Sequence, residues 1–249
     1  MVETFDVSIT PYGLTRRTFV YLPDDWQTSG KKYPVLYMFD GHNLFFDSTA
    51  TYGTCWGLKE YCDAHPNWII AAPECNHEGN KRLEEYCPYQ SDWFGGITGT
   101  GHEYMEWLTK EFKPMMDKRY PTLPGRANTA IGGSSMGGLM SLYALLQYND
   151  TFSRAAALSP SIWVSPEKLS GLVGRAKLEP GTVLYMDYGS REMGNHEGIR
   201  KDFAQLTEKL MVRGIHLTAR LVPGGTHSEA SWEKQLPFMF HTLMYEVEE

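Results

Sequence analysis

Apolar and polar positions along the 249 residues fall into two alternating rhythms. Residues 4–10 (TFDVSIT) and 16–22 (RRTFVYL) read as strands, and Pro11-Tyr12-Gly13 between them reads as a turn. Residues 34–39 (PVLYMF) form a continuous apolar run, the pattern of a parallel strand buried on both faces, and 67–73 (NWIIAAP) read the same way. Further strands are predicted over 128–132, 155–158, 182–188 and 215–222. Helical spacing takes over between them. Tyr104, Trp107, Leu108, Phe112 and Met115/Met116 recur on one face of a helix predicted over 102–119. Helices are also predicted over 137–148, 198–213 and 233–246. Strands alternating with helices imply an α/β architecture, a mostly parallel central sheet with helices on both faces. Two stretches, 44–66 and 74–101, are weakly patterned and rich in aromatic, glycine and polar residues. They are expected as long loops or short helices over one edge of the sheet. Ligands in such sheets bind outside the carboxyl ends of the strands, so both stretches are candidates for a substrate cap.

Composition narrows the picture further. With 42% hydrophobic and 21% charged residues, and no linker or repeat, a single domain over 1–249 is expected, with a core that needs no disulfide or metal. The net charge of −7 argues against nucleic acid and anionic membrane as partners and leaves a small molecule as the expected one. No apolar run approaches the length of a membrane-spanning helix. The opening MVETFDVSITPYG lacks the basic start and apolar stretch of a secretory signal. Cys55, Cys62, Cys75 and Cys87 never form a C-x-x-C pair and lack the usual spacing of zinc ligands. Free thiols in a cytoplasmic protein are therefore expected, for a chain from which no signal peptide has been removed. Oligomeric state leaves no trace in the sequence.

Candidate chemistry centres on Gly133-Ser134-Ser135-Met136-Gly137, a G-x-S-x-G motif between a predicted strand and a predicted helix. A nucleophilic serine there needs a sharp turn, and glycine two residues to either side removes the Cβ atoms that would clash. The helix that follows aims its N-terminal N–H groups at the place where negative charge develops. Ser134 lacks glycine at both flanking positions, so Ser135 is the expected nucleophile. Its hydroxyl needs a base. Of the histidines after it, His216 falls inside a predicted strand and His241 inside a predicted helix. His227 falls in the loop PGGTHS directly after the strand 215–222, where an imidazole can swing over the serine. The orienting carboxylate is sought after the strand 182–188. Glu192 is favoured, with Asp187 and Glu197 as alternatives. Two N–H donors should hold the developing oxyanion. One is expected from Met136. The other is expected from the loop Asp40-Gly41-His42-Asn43, with His42 favoured, Asn43 the alternative, and Asp40 a structural carboxylate. Asn43, Trp163 and Trp232 are expected to touch substrate, and Trp93 and Phe94 are further candidates for an aromatic wall. No metal or organic cofactor is called for.

These residues resemble the esterase D/feruloyl esterase family of the α/β-hydrolase superfamily. The resemblance is carried by PVLYMFDGHN, by the segment Arg82 to Pro88, by IGGSSMGG, by LYMDYGSRE and by GGTHSEASW, and it spans roughly residues 5 to 245. It implies a serine ester hydrolase with a Ser-acid-His triad. A G-x-x-[D/E] pattern after the strand points to Glu192, following Gly189. A D-G turn before an oxyanion donor and a Met after the nucleophile, seen in the related mycolyltransferases, match Asp40-Gly41-His42 and Met136. Feruloyl, acetyl and siderophore esterases, thioester hydrolases and acyltransferases all occur in this group, so the resemblance speaks to mechanism more than to substrate.

Overall fold

In a computed structural model that describes residues 1–192 and 196–246, the strands form a single sheet in the order β1-β2-β4-β3-β5-β6-β7-β8. They are β1 Val2–Ile9, β2 Leu14–Tyr21, β3 Val35–Met38, β4 Ile69–Pro73, β5 Thr129–Ser134, β6 Arg154–Leu158, β7 Val183–Gly189 and β8 His216–Val222. β1 and β2 form an antiparallel hairpin and β2 lies antiparallel to β4; every pairing from β4 to β8 is parallel. All eight predicted strands are found.

The helices are α1 Leu58–Ala64, α2 Lys81–Glu85, α3 Gly101–Trp107, α4 Lys113–Arg119, α5 Met136–Gln147, α6 Pro166–Arg175, α7 His196–Met211, α8 Glu229–Glu233 and α9 Leu236–Leu243. Strand side chains alternate between two cores, as the pleat requires. Val35, Tyr37, Ile131, Ala155 and Leu184 face the helices α3 to α7. Leu36, Met38, Ala130, Ala156 and Tyr185 face α1, α8 and α9. This is the α/β-hydrolase arrangement of a mostly parallel sheet with helices on both faces.

Three differences from the sequence pattern have local causes. The helix expected over 102–119 is α3 and α4 joined by a π-turn at Leu108–Phe112. Pro114, in the first turn of α4, has no N–H to return to the preceding turn, and the wider turn accommodates it. The helix expected over 233–246 is two short ones, because Pro237 can start α9 but cannot continue α8. α6 was not anticipated. The stretch 44–66 also departs from its expected role: Leu44, Phe45, Trp56, Leu58 and Cys62 are buried in the core under α9 and contribute no cap.

The order of the strands fixes where a site can form. From β3 the chain crosses to β4 on one side; it then returns to β5 on the other side and proceeds to β6 beyond it. Connections therefore leave β3 and β5 in opposite directions, which opens a crevice at their carboxyl ends. The turn after β3 and the serine after β5 both lie there.

Candidate active site

Ser135 sits between β5 and α5 at φ 57° and ψ −119°, a backbone conformation that a side chain rarely adopts. Neighbouring bonds impose it. The Ser135 N–H donates to the Leu158 carbonyl (3.0 Å), and its own carbonyl accepts from Ser161 (3.0 Å) and Leu139 (3.0 Å). The turn closes only because both flanking residues are glycine. A Cβ on Gly133 would lie 2.9 Å from the Gly137 carbonyl carbon, and one on Gly137 2.9 Å from Phe39 Cβ. The first bond within the helix is the Leu139 N–H to Ser135, so the N–H groups ahead of it, Met136 among them, are left for other partners.

The turn after β3 packs against this elbow. Asp40 has φ 59° and is buried, and both its oxygens accept from Arg82, at Nε (2.7 Å) and at a terminal nitrogen (2.7 Å). Burial opposes ionisation of Asp40, but the Arg82 guanidinium outweighs it and holds the carboxyl below its usual range. Gly41 follows, where a Cβ would collide with the Ala72 carbonyl of β4. The Asn43 N–H closes the turn onto the Asp40 carbonyl (2.9 Å) and is thereby unavailable as an oxyanion donor. Among the described residues no such acceptor is found for the His42 N–H. The His42 ring is buried, and burial pushes its pKa down to about 4, so it is neutral. Burial and the nearby Asp40 push the Cys75 thiol up.

On the other side of the elbow, His227 Nδ1 lies 2.8 Å from Glu192 Oε2. The sense of each bond there can be read from the donor inventory. Trp232 Nε1 can only donate, and it donates to Ser159 Oγ (3.0 Å). The one hydroxyl proton of Ser159 is then directed at Glu192 Oε1, which also accepts from the Gly189 N–H (2.8 Å). With the carboxylate an acceptor throughout, the His227 proton sits on Nδ1 and Nε2 is the basic nitrogen. The two loops that carry Glu192 and His227 are joined at the backbone. Ser190 and Arg191 donate to Val222 and Gly225 (2.9 and 2.8 Å), and a Cβ on Gly189 would collide with the Gly225 carbonyl.

Asp187, the alternative acid, is turned away from His227. It accepts from Tyr185 Oη (2.7 Å) and the Ser159 N–H (3.1 Å) at the end of β7, and burial pushes it up to about 7. Glu197 is exposed on α7. The side chain of His196 lies outside the described residues.

Ser135 and His227 open onto one cavity of about 480 Å³, shared with Met136, Glu192 and Trp163. Leu83, Trp93, Phe94, Ser161, Tyr188 and Ile199 complete most of its wall. Among the described residues no hydrogen bond joins Ser135 to His227. The Ser135 hydroxyl instead faces Ser161 Oγ at 3.4 Å. The residues around this cavity include Met136 but not the His42 side chain, and two expectations of substrate contact are corrected. Asn43 turns its amide oxygen onto Thr51 N–H (2.8 Å) and Oγ1 (3.1 Å), so it is held away from substrate. Trp232 is buried, edge-on beneath the His227 ring at 5.1 Å, and packs against that ring rather than lining the cavity. Sequence reasoning gave no role to Ser159, Ser161 or Arg82. The first two stand in Ser-Pro-Ser directly after the AAAL strand, and Arg82 opens one of the segments that carry the family resemblance without showing what it pairs with.

Comparison with known proteins accords with this architecture. The Putative esterase family matches residues 12–243. The Uncharacterized protein YbbA of Bacillus subtilis is 26% identical over 200 residues, covering 78% of this chain and 76% of that protein. The Endo-1,4-beta-xylanase/feruloyl esterase of Xylanibacter ruminicola is 28% identical over 151 residues, 60% of this chain but 19% of that longer protein. The crystal structure of an IroE-like serine hydrolase from Shewanella oneidensis superposes with a TM-score of 0.77 at 20% identity, over 98% of this chain and 79% of that one; at that identity the likeness speaks for the fold.

Proposed function

Because the chain belongs to the Putative esterase family and is a carboxylic ester hydrolase, we propose that it works by two-step acyl transfer through Ser135, within one catalytic domain. His227 is the general base and Glu192 the carboxylate that fixes its tautomer. The observation that carries this reading is the pairing of a strained, cavity-facing serine with an imidazole whose far side rests on a buried carboxylate.

Ser135 attacks the ester carbonyl as His227 Nε2 takes its proton. The oxyanion is met by the N–H groups of Met136 and His42, each donor worth about 3 kcal/mol in such a site. His227 then protonates the departing alcohol. Water, activated by the same nitrogen, releases the acid and restores the serine. Neither a metal nor an organic cofactor takes part in these steps. The substrate class we favour is a short-chain acyl or aryl ester of acetyl or feruloyl type. A cavity of about 480 Å³ walled by Leu83, Met136, Trp163 and Ile199 suits a flat apolar acyl group, and the xylanase relative carries feruloyl esterase in its name.

A second reading, transfer of the acyl group to an alcohol acceptor, is favoured by an adjoining groove of about 580 Å³ that shares Trp93, Phe94 and Trp163 with the cavity. Adding acceptor alcohols and quantifying transfer product against free acid separates the two. Four free thiols favour a reducing, cytoplasmic setting.

The test of the main reading is hydrolysis of p-nitrophenyl acetate by wild type and Ser135→Ala. We expect a loss on the order of 10⁵–10⁶-fold in kcat. Equal rates would sink it.

A further inference from the structure

His42 lies far in sequence from Cys75 and His77, but the three converge at the carboxyl ends of the paired strands β3 and β4. One ligand atom from each lies within 4.8 Å of the others, and the two imidazole rings meet edge-on at 4.6 Å. His42 is buried, at 4% exposure. Its Nε2 is 3.1 Å from Thr51 Oγ1, while its Nδ1 is buried without any hydrogen-bond partner. A buried nitrogen left unpaired is costly unless something occupies its lone pair. If Nε2 carries the proton and donates it to Thr51, that lone pair is free. Fixing a ligand's tautomer through the other ring nitrogen is how metal-binding histidines are oriented.

We propose that His42, Cys75 and His77 form a binding site for a borderline-soft divalent cation of the zinc class, with the fourth position open to water. Two imidazoles and a thiolate are the donors such ions select. A tetrahedral site with bonds of about 2.0–2.3 Å separates its ligand atoms by about 3.3–3.8 Å, so the cluster must contract by roughly 1 Å. His77 can supply that movement, since its side chain is 55% exposed and its Nε2 lies 3.8 Å from Glu74. The same exposure gives the ion a way in. On binding, the metal–sulfur bond forms as the Cys75 S–H bond breaks, and one proton passes to solvent for each ion bound. The ion would tie the turn after β3 to the loop after β4.

The site uses the ring of His42, whereas the proposed hydrolysis uses only its main-chain N–H, so its test reads metal and not turnover. Chelator-treated full-length protein is titrated with cobalt(II) chloride. We expect one equivalent to produce a near-ultraviolet thiolate-to-cobalt band and the visible bands of a tetrahedral ion, both displaced by zinc. Cys75→Ser should abolish the near-ultraviolet band. His77→Ala, at an exposed position that folding tolerates, should weaken cobalt binding at least about tenfold, and His65→Ala should leave it unchanged. Absence of the thiolate band in folded wild type, or equal affinity in wild type and His77→Ala, would overturn the site. So would an equal loss in His65→Ala.

Discussion

The floor of the cavity and its rim are built by different means. On the floor, the positions of Ser135 and Glu192 are over-determined by backbone and buried partners. Ser135 is fixed by three main-chain bonds, and Glu192 is held by Ser159, Gly189 and His227. At the rim, Trp93 and Phe94 are 51% and 54% exposed and rest chiefly against the ring of Trp163, with centroids at 4.9 and 5.8 Å. A floor set by sheet topology serves one reaction. A rim set by loop side chains can change with the ester, which is why family membership speaks to chemistry more than to substrate.

The sharpest way to separate the two regions is Glu192→Gln. It preserves shape but removes the acceptor that fixes the His227 tautomer, and kcat should fall by about 10⁴ with KM little changed. A loss of less than tenfold in steady-state kinetics would mean that the acid is not on the floor as described. Next in size is Asp40→Asn, which leaves the Arg82 guanidinium without its counter-charge. A fully buried pair would cost 3–5 kcal/mol on breaking. Arg82 is 27% exposed, so about 1–3 kcal/mol of stability should be lost in urea unfolding, after discounting for solvent. No shift in the midpoint would show that the turn stands without the pair.

The rim is probed by Trp163→Ala, which should raise KM for aryl esters about tenfold, near 1.4 kcal/mol, while kcat for an acetyl ester stays within about twofold. An equal fall in kcat for both esters would erase the distinction between floor and rim. The smallest effect is in pH dependence. Burial raises Asp187 from 3.8 to about 7, so between those values the folded chain keeps a proton that the unfolded chain has lost. Stability from this group is therefore full below the lower value and declines as pH rises through the higher one. Asp187→Asn should flatten that part of the wild-type curve of melting temperature against pH; an unchanged slope would contradict the raised value.

The floor was more legible in the sequence than the rim, for physical reasons. Period-two and continuous apolar runs mark strands buried in a sheet, and all eight were readable. A G-x-S-x-G between strand and helix is a steric requirement written in residue types, and the Gly-rich loop around His227 follows a strand end. α6 was not anticipated although Ser165, Pro166 and the spacing of Leu169, Leu172 and Val173 all mark it, because ten residues give fewer than three turns of helical periodicity. Trp232 and Asn43 show the opposite limit. Both stand in the right loops, but which way a side chain turns depends on partners distant in sequence: Ser159 for the indole, and for the amide a threonine across a loop. The His42 cluster was hidden for the same reason, since its members come from two strands' ends.

The contact between Gly189 and Gly225 has a consequence for inheritance. Where two main chains cross without room for a methyl group, neither segment can drift in sequence or length without the other following. Carboxylate and imidazole therefore travel as one module, so a graft of this machinery into another scaffold should carry both loops together, whereas the aromatic loops can be exchanged one at a time.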